Sequence, residues 1–93
     1  MEVMYKIEYH PLVLGDVKNL SKKDGVQIEG SIRQKLTSHP EVFGVPLRFS
    51  LKGHRKLRVG DYRVVFTVKA KTVKIVAIKH RSVVYKHLKK RLQ

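Results

Sequence analysis

Cysteine and tryptophan are absent from the 93-residue sequence, and acidic side chains are almost absent from its second half. Without cysteine there is neither a disulfide framework nor a thiolate metal site, which suits a reducing cytoplasm. The five histidines, His10, His39, His54, His80 and His87, show no zinc-like spacing with carboxylates, so no metal or other cofactor is expected. The apolar runs are short and interrupted by Lys or Arg, far below the roughly 20 residues of a membrane span. Met1-Glu2-Val3-Met4-Tyr5-Lys6 has neither the charged start nor the apolar stretch of a signal peptide. The expectation is a cytoplasmic protein with no membrane contact. A nucleophile elbow, a Gly-rich phosphate loop and paired carboxylates are also missing, which excludes the reactions that depend on them.

What is present is enough apolar material for one core. With 42% hydrophobic and 30% charged residues the chain reads as globular, a single domain over residues 1–93. Its formal net charge is +14, from 21 Lys and Arg against 7 Asp and Glu. Residues 1–47 balance, with six basic side chains against six acidic ones. Residues 48–93 hold the other fifteen basic residues and a single acid, Asp61, so 15 − 1 = +14 accounts for the whole excess. A one-sided charge of this size is the footprint of a polyanion, and nucleic acid is the expected partner.

Alternation over residues 3–9 predicts a strand with Tyr5, Ile7 and Tyr9 on one face. His10-Pro11 opens a helix with Val13, Val17 and Leu20 at helical spacing, and after Ser21 a second helix carries Ile28, Ile32 and Leu36 to about Ser38. His39-Pro40 stops it, and a loop is expected from Glu41 to Pro46. Three strand-like runs follow at about 47–51, 54–59 and 61–69, with Gly60-Asp61 as a tight turn, and a further run extends from Thr72 to Lys79. Ser82 is the expected N-cap of a last helix with Val84, Leu88 and Leu92 as its apolar stripe. The pattern β-α-α-β-β-β-β-α predicts an α+β fold. Its parts are a small antiparallel or mixed sheet of four to five strands, two N-terminal helices on one face and a short C-terminal helix.

A two-residue turn at Gly60-Asp61 sets Val59 opposite Tyr62, Arg58 opposite Arg63, Leu57 opposite Val64, Lys56 opposite Val65 and His54 opposite Thr67. Leu57, Val59, Tyr62, Val64, Phe66 and Val68 then form an apolar face for the helices, and His54, Lys56, Arg58 and Arg63 share the other. Arg58 across from Arg63 is repulsive by up to roughly 1 kcal/mol, and with no acid on that face a bound anion is what would relieve it. Ile78 to Tyr85 ends a strand and begins a helix, where free backbone N–H groups favour an anion. It adds Lys79, His80, Arg81 and Tyr85. His80 is either a titrating proton carrier or a hydrogen-bonding structural residue, and Tyr85 either half-buried core or a ring presented to a base or phosphate. Such a site must work through cations. RNA cleavage fits, because the ribose 2′-hydroxyl supplies the nucleophile and the protein need only position it, move protons and neutralise the phosphate.

The stretch Leu51-Lys52-Gly53-His54-Arg55-Lys56-Leu57-Arg58-Val59-Gly60-Asp61-Tyr62-Arg63-Val64-Val65-Phe66, followed by Ile78-Lys79-His80-Arg81-Ser82-Val83-Val84-Tyr85, resembles the RelE branch of the RelE/ParE toxin superfamily. The resemblance implies the toxin of a toxin–antitoxin pair, a metal-independent endoribonuclease that cuts messenger RNA in the ribosomal A site, leaving a 2′,3′-cyclic phosphate and a 5′-hydroxyl. It implies that Lys56 accepts the 2′-hydroxyl proton, Arg63 stabilises the phosphate, Tyr85 stacks on a base or orients the substrate, and Arg81 or Lys79 neutralises charge near the leaving group. His80 is open to either proton role. Lys52, His54, Arg55, Arg58 and Lys79 are the expected RNA-binding residues. The sequence departs from the branch pattern in having His54 where its best-known member has a second lysine and Lys79 rather than arginine six residues before Tyr85, and the aligned region offers none of the glutamate that some relatives use as a base. The partners implied are the ribosome with its mRNA and a cognate antitoxin, for which an acidic segment would suit the charge. Two rivals are a ParE-like DNA gyrase inhibitor, a branch that generally lacks the Lys56, Arg63, Arg81 and Tyr85 cluster, and a passive RNA-binding module. Four Tyr and three Phe, several of them expected in the core, leave few exposed stacking platforms for that last role.

Overall fold

The computed structural model describes residues 4–92. Strand β1 (Lys6–Tyr9) turns Tyr5 and Ile7 toward the core, whereas Tyr9, expected beside them, is 52% exposed. Val3, the first residue of the expected strand, lies outside the described residues. Helix α1 (Val13–Lys18) starts two residues beyond Pro11, because the Leu12 N–H is taken by His10 Nδ1 at 3.1 Å in a turn that precedes it. Val13 is buried but Val17, expected inward, is exposed. Ser21 caps helix α2 (Lys22–Ser31), its hydroxyl accepting the Asp24 N–H at 3.0 Å. Ile28, Ile32 and Leu36 form the expected buried stripe, its last turn widened to a π-helix over Ile32–Leu36. The segment expected as a loop opens instead with a short helix, α3 (Pro40–Phe43). Pro40 sits in its first turn, where a missing N–H costs nothing.

Strands β2 (Val45–Pro46), β3 (Arg55–Val59), β4 (Tyr62–Lys69) and β5 (Thr72–His80) complete a five-stranded mixed sheet of order β1-β5-β4-β3-β2. β1 runs parallel to β5, and the other pairs are antiparallel. The expected strand at 47–51 is not one. Phe49 has φ +57°, a left-handed backbone that cannot be extended, and Phe49–Leu51 forms a 3-10 turn. Between β3 and β4 the register runs from Val59 opposite Tyr62 to Arg55 opposite Phe66, with Arg58 facing Arg63 as the turn dictates. His54 precedes β3 and has no partner in this register. Gly60, at φ +58°, adopts the left-handed angle of the tight turn at no steric cost.

One irregularity in β5 divides the interior in two. Phe66 pairs with Ile75 but Val65 pairs with Ala77, so Val76 is an extra residue, a β-bulge that resets the alternation. Val73, Ile75 and Ile78 therefore join Leu57, Val59, Val64 and Phe66 under α1 and α2, while Val76 and Ala77 turn with Val65 to the other face. There Val84 and Leu88 of helix α4 (Val84–Arg91) cover them. Helices thus lie on both faces of the sheet. Leu92, expected in the stripe of α4, is 40% exposed.

β1 stops pairing at Ile75, which leaves the edge of β5 beyond it without a strand partner. Asp16 of α1 fills the gap, accepting the Ile78 N–H at 3.0 Å and a two-pronged contact from Arg91 of α4 at 2.8 and 2.9 Å. Arg91 also donates to the Val76 carbonyl at 3.0 Å, and Lys79 Nζ lies 3.0 Å from the carboxylate. Burial by itself pushes the Asp16 carboxyl up, but hydrogen bonds from Arg91, the Ile78 N–H and Lys79 outweigh it and hold the group below the ordinary carboxylate range. This one buried anion fastens α1, β5 and α4 together. Among the described residues, no helix is long and apolar enough to cross a membrane.

Candidate active site

At the turn end of the β3–β4 hairpin, where β5 runs into α4, an open cleft of about 390 Å³ is lined by Lys56, Arg63, His80, Arg81, Ser82 and Tyr85. Five of these six are the expected catalytic residues, brought from β3, β4, β5 and α4. Among the described residues, no carboxylate lines the cleft. Among the described residues, no group of three or more His, Cys, Asp or Glu side chains is disposed to hold a metal ion.

The hairpin turn orients the arginines. Arg63 Nη1 donates to the Gly60 carbonyl at 3.1 Å and to its neighbour Tyr62 at 2.9 Å, which fixes the guanidinium through one amino group and leaves the rest of the fork available to an anion. The Arg81 N–H donates to the Asp61 carbonyl at 2.8 Å, and its side chain lies 3.6 Å from the Asp61 carboxylate. That exposed ion pair is weak, so Arg81 remains free to trade it for phosphate. Lys56 and Tyr85 meet across the cleft, the ammonium 5.7 Å from the ring centroid, a cation–π pair that keeps the half-buried ring over the sheet.

His80 is held by its own loop. Its Nδ1 accepts the Ser82 backbone N–H at 3.2 Å and lies 2.8 Å from the Ser82 hydroxyl, and its ring meets Tyr62 edge to face at 5.6 Å. A backbone N–H can only donate, so neutral His80 carries its proton on Nε2. That tautomer makes it a donor to whatever occupies the cleft. Ser82, expected to cap α4, does not do so. The N-cap is Val83, with no side-chain cap, and the hydroxyl is spent on His80. The signal for this was the two-residue spacing of His80 and Ser82.

None of the expected RNA-binding residues lines the cleft. Lys52 and Arg58 are exposed beyond its walls. Arg55 donates to the carbonyls of Glu41 and Gly44 at 3.2 and 2.9 Å, a strut that holds α3 against the sheet. His54 is partly buried with Nδ1 unpaired, and Lys79 is turned to the sheet edge by Asp16. Sequence reasoning missed Asp16 altogether. One acid among six in a neutral half gives no sign that it will pair with two cations of the other half. A second groove, of about 580 Å³ and mostly apolar, is bordered by α1 and α2, with Leu14, Val17 and Val26 on its walls.

No curated protein matches the chain. Among solved structures, it is similar to the toxin–antitoxin complex RelBE2 from Mycobacterium tuberculosis, with TM-score 0.80 and 26% identity over 85% of this chain and 100% of that one. It is also similar to the YoeB–YefM complex from Staphylococcus aureus, with TM-score 0.61 and 25% identity over 82% and 95% of the respective chains. YafQ from E. coli shares the fold at TM-score 0.66, with 24% identity over 87% and 98%. The family model of the ParE toxin of type II toxin–antitoxin systems matches residues 7–85, and the chain belongs to this family, within the RelE/ParE toxin superfamily.

Proposed function

We propose that this toxin is a metal-independent endoribonuclease that cuts messenger RNA in the ribosomal A site and so stops translation in the cytoplasm. The observation that carries the reading is the convergence of Lys56, Arg63, His80, Arg81 and Tyr85 on one cleft that, among the described residues, no carboxylate lines. Lys56, in its neutral amine form, takes the proton of the ribose 2′-hydroxyl as that oxygen forms its bond to phosphorus. Arg63 and Arg81 hold the crowded phosphate, whose negative charge rises in the transition state. As the bond from phosphorus to the 5′-oxygen breaks, His80, as the imidazolium with its Nδ1–H donated to the Ser82 hydroxyl, gives the Nε2 proton to the departing oxygen and is left as the neutral imidazole. The products are a 2′,3′-cyclic phosphate and a 5′-hydroxyl. Tyr85, with its ring against Lys56, orients the nucleotide by stacking. Solved relatives are toxin–antitoxin complexes, which supports a cognate antitoxin here, with an acidic segment to match the +14 charge.

A second reading, inhibition of DNA gyrase, is favoured by the ParE name of the matching family model. Inducible expression of wild type beside an Arg63→Ala, Tyr85→Ala double variant, with primer extension on an abundant message, separates the two. The expected result is cuts at codon positions within translated regions, lost in the double variant. Intact messages accompanied by stalled gyrase complexes would overturn the ribonuclease reading in favour of the second.

A further inference from the structure

Most aromatic rings of the chain are at least partly covered, and Phe66 is fully buried, but Phe49 is 91% exposed. Among the described residues it is also one of two non-glycine positions at positive φ, +57° against +55° for Ala70. Ala70 sits in the two-residue β4–β5 turn, which requires such an angle, whereas no tight hairpin turn requires it of Phe49. The segment around Phe49 is firmly tied. Leu47 N–H donates to His54 O, Leu51 N–H to Arg48 O, Lys52 N–H to Phe49 O and His54 N–H to Leu51 O, at 2.9 to 3.1 Å. Leu47 and Leu51 tuck into the second core cluster beside Tyr85. The loop therefore buries its leucines and holds its phenylalanine out, an arrangement that keeps backbone strain and an unburied ring at one position.

The surroundings of the ring indicate a ligand class. Arg48 and Lys52 flank it, both exposed, and no acid occurs between residues 48 and 60. A ring with a cation on either side in the sequence, on a loop whose leucines share a core cluster with Tyr85, matches the chemistry of unpaired nucleotides, whose bases stack on aromatic faces while their phosphates meet Lys and Arg. A strand whose phosphate sits among Arg63, Arg81 and Lys56 must continue over the neighbouring surface. We infer that Phe49, with Arg48 and Lys52, is a second nucleobase-stacking site for single-stranded RNA, adjoining the cleft and distinct from Tyr85. The inference rests on the ribonuclease reading of that cleft.

Phe49→Trp gives the chain its only tryptophan and keeps a stacking ring. Its fluorescence is titrated with a 2′-deoxy oligonucleotide, which lacks the nucleophile and cannot be cut, with the same oligonucleotide made abasic, and with poly-L-glutamate. Quenching by the base-bearing strand alone is expected. Phe49→Ala and Phe49→Leu should each weaken binding of that strand by roughly 5- to 150-fold, as loss of one stacked base does, with circular dichroism unchanged. Equal quenching by the abasic strand or by poly-L-glutamate, or full affinity in Phe49→Leu, would overturn the site in favour of charge attraction or a protein contact. Because the probe cannot react, absence of RNA cleavage by wild type counts against the ribonuclease reading alone. Absence of quenching in an enzyme that cleaves counts against Phe49 alone.

Discussion

The two halves of this chain carry similar amounts of apolar residue and opposite kinds of surface. Residues 1–47 are electrically balanced and build α1, α2 and most of an apolar groove, whereas residues 48–93 hold the whole +14 excess and the cleft. The halves are joined electrostatically at Asp16, where one acid of the first pairs with both Arg91 and Lys79 of the second. A charge excess is available to an anion only where the fold leaves cations unpaired or weakly paired. Lys79 and Arg91 belong to the cationic half but serve the scaffold, and Arg55 has become a backbone strut. Lys56, Arg63 and Arg81 keep their charge facing a cleft.

The sharpest way to break this division is Arg63→Ala. Cleavage should fall by about 10²- to 10³-fold, as when a charge-stabilising donor is removed, while denaturant unfolding stays close to wild type. Activity lost only in proportion to unfolded protein would make Arg63 structural. Arg58→Ala, directly opposite on the same strand pair, should weaken RNA binding modestly and lower the salt dependence by about one counterion, without a specific loss of turnover. If both variants behave alike, the cleft is not the site.

Asp16→Ala tests the seam between the halves. Leaving Arg91 and Lys79 without their buried partner should cost about 3 kcal/mol in urea unfolding at neutral pH. The carboxyl is held below its ordinary value of 3.8, so the folded state favours the charged form. Its stabilisation is present in full above that value and lost as pH falls through the lower folded value. The advantage of wild type over Asp16→Asn should therefore be flat from neutrality to mildly acid pH and shrink below it. An advantage that does not change with acidification would mean that the carboxylate is not the anchor.

Gly44→Ala probes packing where the halves meet at the other edge of the sheet. A Cβ there collides with the Phe66 ring and comes within 2.9 Å of the Pro40 carbonyl, so thermal stability should drop by about 1–3 kcal/mol. The smallest effect expected is a gain. Ala70→Gly removes a left-handed strain in the β4–β5 turn, far from the cleft, and should stabilise by about 0.5 kcal/mol without altering cleavage.

Much of this was legible in the residues. Local alternation and turn chemistry determined the β3–β4 hairpin and its register, because side-chain period and a two-residue turn leave one pairing that buries Leu57, Val59, Val64 and Phe66 together. Helical spacing determined the Ile28, Ile32 and Leu36 stripe, and motif spacing brought forward the five residues that meet in the cleft. The segment 47–51 misled because a run of apolar and basic residues fits a strand as well as a 3-10 turn, and only long-range packing of Leu47 and Leu51 decides between them. The bulge at Val76, which turns Val76 and Ala77 together toward α4, has no local signature, since Val and Ile suit either face. Which cations stay free was likewise decided by the tertiary structure. Charge is a property of residues read one at a time, but its neutralisation depends on partners distant in sequence, and Asp16 reaches Lys79 and Arg91 only after the chain has folded.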